Sequence, residues 1–156
     1  KKDLQKWMKN ATTVWVSEYT VPWVASASPH GREIALKWIE SKDETIASAG
    51  WGTYRSMVAI KEDADLDLAE IKSLLGRVAK SIHQQPDRLK YMMNSFVIAV
   101  GCHVKPLHKL AVDTAKGIGK VAVDLVGDCK IPFAPDHIKK FQARSPIGKK
   151  RKSPKC

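Results

Sequence analysis

The chain has 156 residues, 44% of them hydrophobic and 28% charged, a balance that excludes a disordered chain and fits one folded domain. Its 27 lysines and arginines exceed its 16 aspartates and glutamates, and the net charge of +11 favours a polyanionic partner, nucleic acid ahead of acidic lipid. No apolar run reaches the roughly 18 residues that a membrane span needs, so we expect no membrane partner.

The two ends of the chain predict its domain organisation. The sequence opens on KKDLQ without a methionine, so we expect an upstream part of the protein to precede it. Residues 145–156 (SPIGKKRKSPKC) contain five cations and no acid, which leaves residues 1–144 with 22 cations against 16 acids. We therefore predict a basic domain over residues 1–144 and a basic, flexible tail over 145–156. The three scattered cysteines (Cys102, Cys129 and Cys156) predict no disulfide framework and favour a reducing, cytoplasmic location.

The predicted elements are helices. Near the start, Trp15, Tyr19 and Trp23 recur at every fourth position, as on one face of a helix, although Pro22 is expected to disturb that helix. Apolar periodicity and the positions of Pro and Gly predict further helices within segments 28–41, 42–60, 66–85, 86–104, 105–119 and 134–144.

Three local features refine these helices. Asp43 and Asp67 are the expected N-caps of the second and third segments. Gly50, inside the second segment, costs about 1 kcal/mol relative to alanine, which is tolerated where another backbone must come close. The stretch from Phe96 to Cys102 is apolar on every face and predicts the most buried helix.

The helices group into pairs. Helical hairpins begin near residues 31, 67 and 105, a period of roughly 36 to 38 residues, close to the ~40–47 residues of HEAT and armadillo repeats. We therefore predict an all-α superhelix, a HEAT-like or armadillo-type solenoid of antiparallel helix pairs. A compact helical bundle is the alternative.

The aromatic residues near the start are the leading candidates for a binding site. All five tryptophans lie in the first third of the chain, at positions 7, 15, 23, 38 and 51. Trp faces beside a basic surface suit a flat or cationic base, through stacking and cation–π attraction of about 0.5–2 kcal/mol each. Glu18, between Trp15 and Trp23, has the chemistry to stabilise positive charge on a sugar. The alternatives are core packing for each Trp and a solvated or lysine-paired Glu18.

The remaining motifs predict no chemistry. The cysteines and histidines at positions 102, 103, 108, 129 and 137 match no zinc module, so we expect no metal site and structural roles. GIGK, residues 117–120, lacks the Ser or Thr of a phosphate loop and is predicted only to end a helix. The basic tail either contacts phosphates or serves only as a solubilising end.

Several stretches resemble the DNA alkylation repair family, the AlkD-like proteins. They include WVSEYTVPWVASASPHGREIALKWIESKDETIASAGW, MNSFVIAVGCHVKPLHKLAVDTAKGIGKVAVDL, CKIPFAPDHIKKF and IGKKRKSPKC. The chain is similar to the C-terminal two-thirds of a member, most strongly in a branch with this basic tail. The resemblance implies a monomeric HEAT-like superhelix whose concave, positive face holds alkylated duplex DNA. It also implies excision of cationic N3- or N7-alkylated purines without a cofactor, and hence association with the nucleoid.

The resemblance also implies roles for individual residues. It assigns stacking on the lesion to Trp15, Tyr19 and Trp23, and catalysis to Glu18. The family has Asp four residues after the Trp, whereas here Glu18 follows Trp15 at three and Tyr19 at four; the family's Arg falls at Ser48. The expected contacts to DNA phosphates are Arg32, Arg55, Lys149, Lys150 and Arg151. Two other hypotheses stay open: a non-catalytic nucleic-acid-binding protein and a helical-repeat scaffold for another protein.

Overall fold

A computed structural model describes residues 1–124 and 130–155, and the regular elements in that part of the chain are helices without a strand. The α-helices are α1 (Lys2–Lys9), α2 (Val21–Ala27), α3 (Gly31–Ile39), α4 (Glu44–Ile60), α5 (Leu68–Ser81), α6 (Asp87–His103), α7 (His108–Ile118) and α8 (Ala134–Gln142). The two predicted N-caps are confirmed: an Asp43 side-chain oxygen accepts from the Ile46 N–H, and Asp67 accepts from Glu70 N–H.

The helices form two layers. Consecutive helices pair as α1 with α2, α3 with α4, α5 with α6 and α7 with α8, while α2, α4, α6 and α8 pack side by side in one row. The odd-numbered helices form the second layer, in which α5 packs on α7 and ion pairs join α3 to α5. This row of helix pairs confirms the predicted HEAT-like solenoid over the compact bundle.

The core is centred on α4 and α6. Thirteen of the 17 residues of α6 are buried, as its apolar sequence predicts. Phe96 of α6 meets Trp51 and Tyr54 of α4 edge to face, with ring centroids 5.2 and 5.7 Å apart. Trp51 is therefore a core residue, which agrees with the alternative that a tryptophan of this chain serves core packing.

The predicted close approach at Gly50 is also confirmed. A Cβ atom on Gly50 would lie 2.5 Å from the backbone nitrogen of Ile39 and 2.9 Å from the carbonyl oxygen of Ala35. Both neighbours are backbone atoms of the α3 region, so α3 and α4 are in direct backbone contact. Only glycine permits this spacing.

The stretch before α2 is a five-residue π-helix, Val16–Thr20, which the sequence did not predict. Pro22 lies in the first turn of α2 and has no N–H to offer the Glu18 carbonyl four residues earlier, and its ring crowds that oxygen. A wider π turn accommodates the clash and keeps the chain helical. Pro22 thus disturbs the helix, as expected, without ending it.

Part of the C-terminal segment expected to be a flexible tail lies against the domain. Gly148 N–H donates to Cys102 O at 2.9 Å, and Arg151 N–H donates to Ala59 O at 2.8 Å. His103 Nδ1 donates to Lys149 O at 2.7 Å. Residues 148–151 therefore run along the C-terminal ends of α4 and α6.

Lys150 is the centre of this docking. Its side chain is 9% exposed, and its ammonium donates to Val58 O at 3.1 Å, to His103 O at 2.7 Å and to Asp63 Oδ1 at 2.7 Å. The last carbonyls of a helix lack intrahelical donors and carry partial negative charge, so a cation there is favourable. This is the physical reason why part of the segment is not a free tail.

No helix in residues 1–124 and 130–155 is both long and apolar enough to cross a membrane.

Candidate nucleic-acid interface

The even-numbered helices carry a one-sided charge pattern. On α4, α6 and α8 the acids are confined to the first turn, where Glu44, Asp87 and Asp136 complement the helix dipole. The α2 helix has no charged residue. Cations follow on the same helices at positions 55, 88, 90, 139 and 140. We call the surface formed by the π-helix, α2, α4, α6 and α8 the even-helix face. Arg88 and Lys90 are ion-paired with Glu18 and Asp87, so the positive charge of these helices comes from Arg55, Lys139 and Lys140.

Trp15, Tyr19 and Trp23 form an aromatic cluster at the start of this face. The Trp15 and Tyr19 ring centroids are 5.4 Å apart at an interplanar angle of 34°, and Tyr19 meets Trp23 edge to face at 5.8 Å. The Trp15 residue is 74% exposed, so one face of its ring is open to a ligand. The indole N–H of Trp23 is buried and has no hydrogen-bond partner among the described residues. The cluster therefore offers a stacking surface, whereas the buried indole N–H of Trp23 is closed to a ligand.

Glu18 lies beside the cluster but does not face solvent. The residue is 5% exposed, and its Oε1 accepts a hydrogen bond from the Arg88 guanidinium at 2.7 Å. Burial raises the pKa of the Glu18 carboxyl above its usual range, and the hydrogen bond and charge of Arg88 oppose that rise. The carboxylate is thus held in an ion pair, because Arg88 supplies the compensation that a buried charge requires.

Arg88 is the residue of this site that the sequence analysis missed. It lies 70 residues from Glu18 in the chain, so no local pattern joins the two. One signal was present: Arg88 stands in the first turn of α6, where the helix dipole disfavours a cation. A cation at such a position indicates an acidic partner elsewhere in the fold.

Arg55 and Tyr91 connect the aromatic cluster to the rest of the even-helix face. Burial, and then Tyr91, raise the pKa of Tyr19 to about 12, while the positive charge of Arg55 acts on both Glu18 and Tyr19. Arg55 and Tyr91 also line a cavity of about 190 Å³ that reaches α8 and Arg151. The predicted residues Arg55 and Arg151 are therefore brought together, next to the cluster.

The other predicted phosphate contacts, Arg32, Lys149 and Lys150, have different surroundings from one another. Arg32 lies on α3 in the odd-numbered layer, and its guanidinium donates to both carboxylate oxygens of Glu70, at 3.1 and 2.8 Å, and to Asp67 at 2.9 Å. The Lys150 ammonium is enclosed by the carbonyls described above, whereas Lys149 is exposed and opens on a groove with Arg151. The structure therefore brings Arg55, Lys149 and Arg151 to one region and leaves Arg32 apart.

The cysteine and histidine positions have structural surroundings. Within residues 1–124 and 130–155 no three His, Cys, Asp or Glu side chains are grouped as metal ligands. Burial raises the pKa of the Cys102 thiol to about 12, and His108 Nδ1 donates to Gly101 O at 2.7 Å. Cys129 and Cys156 lie outside the described residues.

Comparisons with known proteins identify relatives and a structural neighbour. No family model matches the chain. It is 35% identical over 111 residues to the uncharacterized protein Lin0241 of Listeria innocua, covering 70% of this chain and 46% of that protein. It is 34% identical over 112 residues to the uncharacterized protein Lmo0209 of Listeria monocytogenes, covering 71% and 47%. The chain thus spans about half the length of the curated relatives that it matches.

A solved structure superposes with a TM-score of 0.90 and 34% identity, covering 97% of this chain and 65% of that chain. It is described as a new family of proteins related to the HEAT-like repeat DNA glycosylases with affinity for branched DNA structures. This chain is therefore an all-α, HEAT-like repeat protein. In fold it is similar to a relative of the HEAT-like repeat DNA glycosylases, which supports the resemblance to the DNA alkylation repair family at that level.

Proposed function

We propose that this chain is a DNA-binding protein that uses the even-helix face, prefers branched DNA and does not excise bases. The observation that carries the proposal is the open face of Trp15, whose ring is tilted against Tyr19 in the segment beside Arg55 and Arg88. The net charge of +11 supplies the attraction to phosphates. The affinity of the structural neighbour for branched DNA supports the choice of partner.

Branched DNA is favoured over continuous duplex because of the stacking surface. In a regular duplex each base is stacked on its neighbours, so Trp15 reaches a base face only after that stack has been opened, which costs a few kcal/mol. At a branch point whose arms are not stacked on one another, the terminal base pairs expose their faces. Stacking of one base on an aromatic side chain contributes about 1–3 kcal/mol, and this gain is then available without the opening cost.

Base excision is the function that the same fold would otherwise favour. It needs a carboxylate that faces the positive charge developing on the deoxyribose. Glu18 is the carboxylate within the segment that carries the aromatic cluster, and it is buried against Arg88. The residue four positions after Trp15 is Tyr19, which has no carboxylate. We therefore infer that the protein binds DNA without cleaving the glycosidic bond, acting as a nucleoid-associated monomer.

The proposal is tested by fluorescence anisotropy with a labelled four-way junction, a fork and a duplex of matched sequence. We expect the junction and the fork to bind more tightly than the duplex. The logarithm of the association constant should fall with the logarithm of salt by about 0.9 for each phosphate contacted on duplex arms. A protein-binding scaffold would bind none of the three, and that result would refute the proposal.

Trp15→Ala is the variant that tests the interface, and Trp7→Ala is its matched control. Both residues are exposed, Trp15 by 74% and Trp7 by 53%, but Trp7 belongs to α1 outside the even-helix face. We expect Trp15→Ala to weaken junction binding by about 5- to 150-fold, which corresponds to the loss of one stacked base at about 1–3 kcal/mol. Equal losses in the two variants would show that the aromatic cluster is not the contact.

A further inference from the structure

The cavity of about 190 Å³ on the even-helix face is walled by four parts of the chain: α4, α6, α8 and the docked C-terminal segment. Arg55 comes from α4, His137 from α8 and Arg151 from the C-terminal segment. Arg151 is held there by its own backbone, since its N–H donates to Ala59 O at 2.8 Å. Residues far apart in the sequence thus bring two arginines and a histidine to one concave space.

The positive charge around the cavity is not neutralised. No aspartate or glutamate is among its lining residues in the described part of the chain. Within residues 1–124 and 130–155, neither Arg55 nor Arg151 forms an ion pair with a carboxylate. Burial lowers the pKa of His137, and the charges of Lys140 and Arg151 lower it further. An anion placed here meets attraction from every wall that carries charge.

A buried hydroxyl at the same cavity also lacks a partner. Ser56 is 3% exposed and lines the cavity from α4, and its Oγ has no hydrogen-bond partner among the described residues. Buried polar groups in folded proteins are nearly always satisfied, so an unpaired one indicates a ligand or an ordered water. The Ser56 hydroxyl is a neutral donor at the wall of the cavity, and a change of its χ1 rotamer would direct it to an oxygen of a bound anion.

We infer that this cavity binds a phosphate group in its dianionic, monoester form. Its volume equals about six waters at ~30 Å³ each, which admits a phosphate group, and it lies below the ~300 Å³ at which pockets for larger ligands begin. A phosphodiester within a strand carries less charge and has a second substituent, and so is attracted less strongly to this half-open pocket with two arginines. The source that suits the even-helix face is the terminal phosphate of a DNA strand at a fork or junction, and this part of the inference rests on the proposed function.

Inorganic phosphate is the first probe, because it tests the cavity without DNA. We expect it to release or absorb heat on binding the whole chain in isothermal titration calorimetry. We also expect bound phosphate to raise the pKa of His137, which an NMR titration of the imidazole would measure. Arg151→Gln should abolish the heat, and Ser56→Ala should reduce it. Lys72→Gln is the control, because Lys72 is an exposed residue of α5, in the odd-numbered layer and outside the cavity lining. Equal heats for all variants, or none for the wild type, would overturn the inference.

DNA forks identify the source of the phosphate. Three identical forks carry a phosphate at the 5′ end, a phosphate at the 3′ end, or hydroxyls at both ends. We expect one phosphorylated fork to bind about tenfold or more tightly than the hydroxyl fork, since charged hydrogen bonds are the strong ones. Arg151→Gln should remove that difference, whereas Lys72→Gln should leave it unchanged.

The phosphate titration tests the cavity, and the comparison of forks tests whether its ligand is a DNA end. Heat with inorganic phosphate and equal affinity for the three forks would assign the cavity to free phosphate. Heat with phosphate and no binding of any fork would retain the cavity and reject the proposed function. Absence of phosphate binding together with equal fork affinities would reject the cavity while leaving DNA binding intact.

Discussion

Gly50→Ala tests the spacing of the two layers at the point where α3 and α4 touch. The added Cβ would lie 2.5 Å from Ile39 N, 2.9 Å from Ala35 O and 2.9 Å from Trp38 C. These are backbone atoms, so no side chain can rotate away, and α3 must move by roughly 1 Å to restore normal van der Waals separations. Overpacking of this kind costs about 1–3 kcal/mol or more, and the helix propensity gained from alanine, about 1 kcal/mol, offsets only part of it.

Gly76→Ala is the matched control for this prediction. Gly76 lies within α5, and a Cβ atom there would meet nothing within 4 Å. The control should therefore gain about 0.5–1 kcal/mol, which raises the Tm of a domain of this size by a few degrees. Gly50→Ala should instead lower the Tm, measured by circular dichroism. If Gly50→Ala proves as stable as the wild type while Gly76→Ala behaves as expected, the contact between α3 and α4 is wrong.

Three further outcomes follow from the site. Lys150→Met should lower the free energy of unfolding by about 2 kcal/mol in urea titrations, because it removes three buried hydrogen bonds, while Lys152→Met at an exposed position should change little. Because folding raises the pKa of the Glu18 carboxyl, the folded state holds this proton more tightly than the unfolded chain does. Glu18 therefore makes the free energy of unfolding fall as the pH rises from 4.5, the ordinary pKa of the carboxyl, through the raised pKa. Arg88→Ala, which removes the opposing charge, should extend that fall to higher pH, and Glu18→Gln should abolish it, in Tm measurements between pH 4 and 7. A pH dependence unchanged by both substitutions would contradict the ion pair.

Much of the fold was predictable because its signals are local. The caps at Asp43 and Asp67 join groups three residues apart, and apolar periodicity marks the buried face of each helix. The repeat period then follows from the order of the helices. The tight contact at Gly50 was indicated by a glycine inside a helix, although that signal is not sufficient, because Gly76 lies inside α5 with nothing within 4 Å of its Cβ position.

The parts that sequence patterns missed depend on contacts between distant residues. Glu18 and Arg88 are 70 positions apart, and Lys150 reaches Val58 across 92. Arg32 was predicted to contact DNA because its hydrogen-bond partner Glu70 belongs to another helix pair and is not apparent from the local sequence. The π-helix before Pro22 depends on how a clash is relieved once α2 packs on α4, which no pattern in that stretch shows. The proposed DNA-binding face therefore depends on tertiary packing more than on any motif.

Binding and base release measured on the same samples test the central claim most directly. The protein is incubated with methylated duplex and methylated junction DNA; free 3-methyladenine and 7-methylguanine are quantified while a gel shift records the bound fraction. We predict binding, strongest for the junction, with no base released above the rate for DNA alone. Release of either base, lost in Glu18→Gln with affinity unchanged, would contradict the account and make the buried carboxylate a catalytic group.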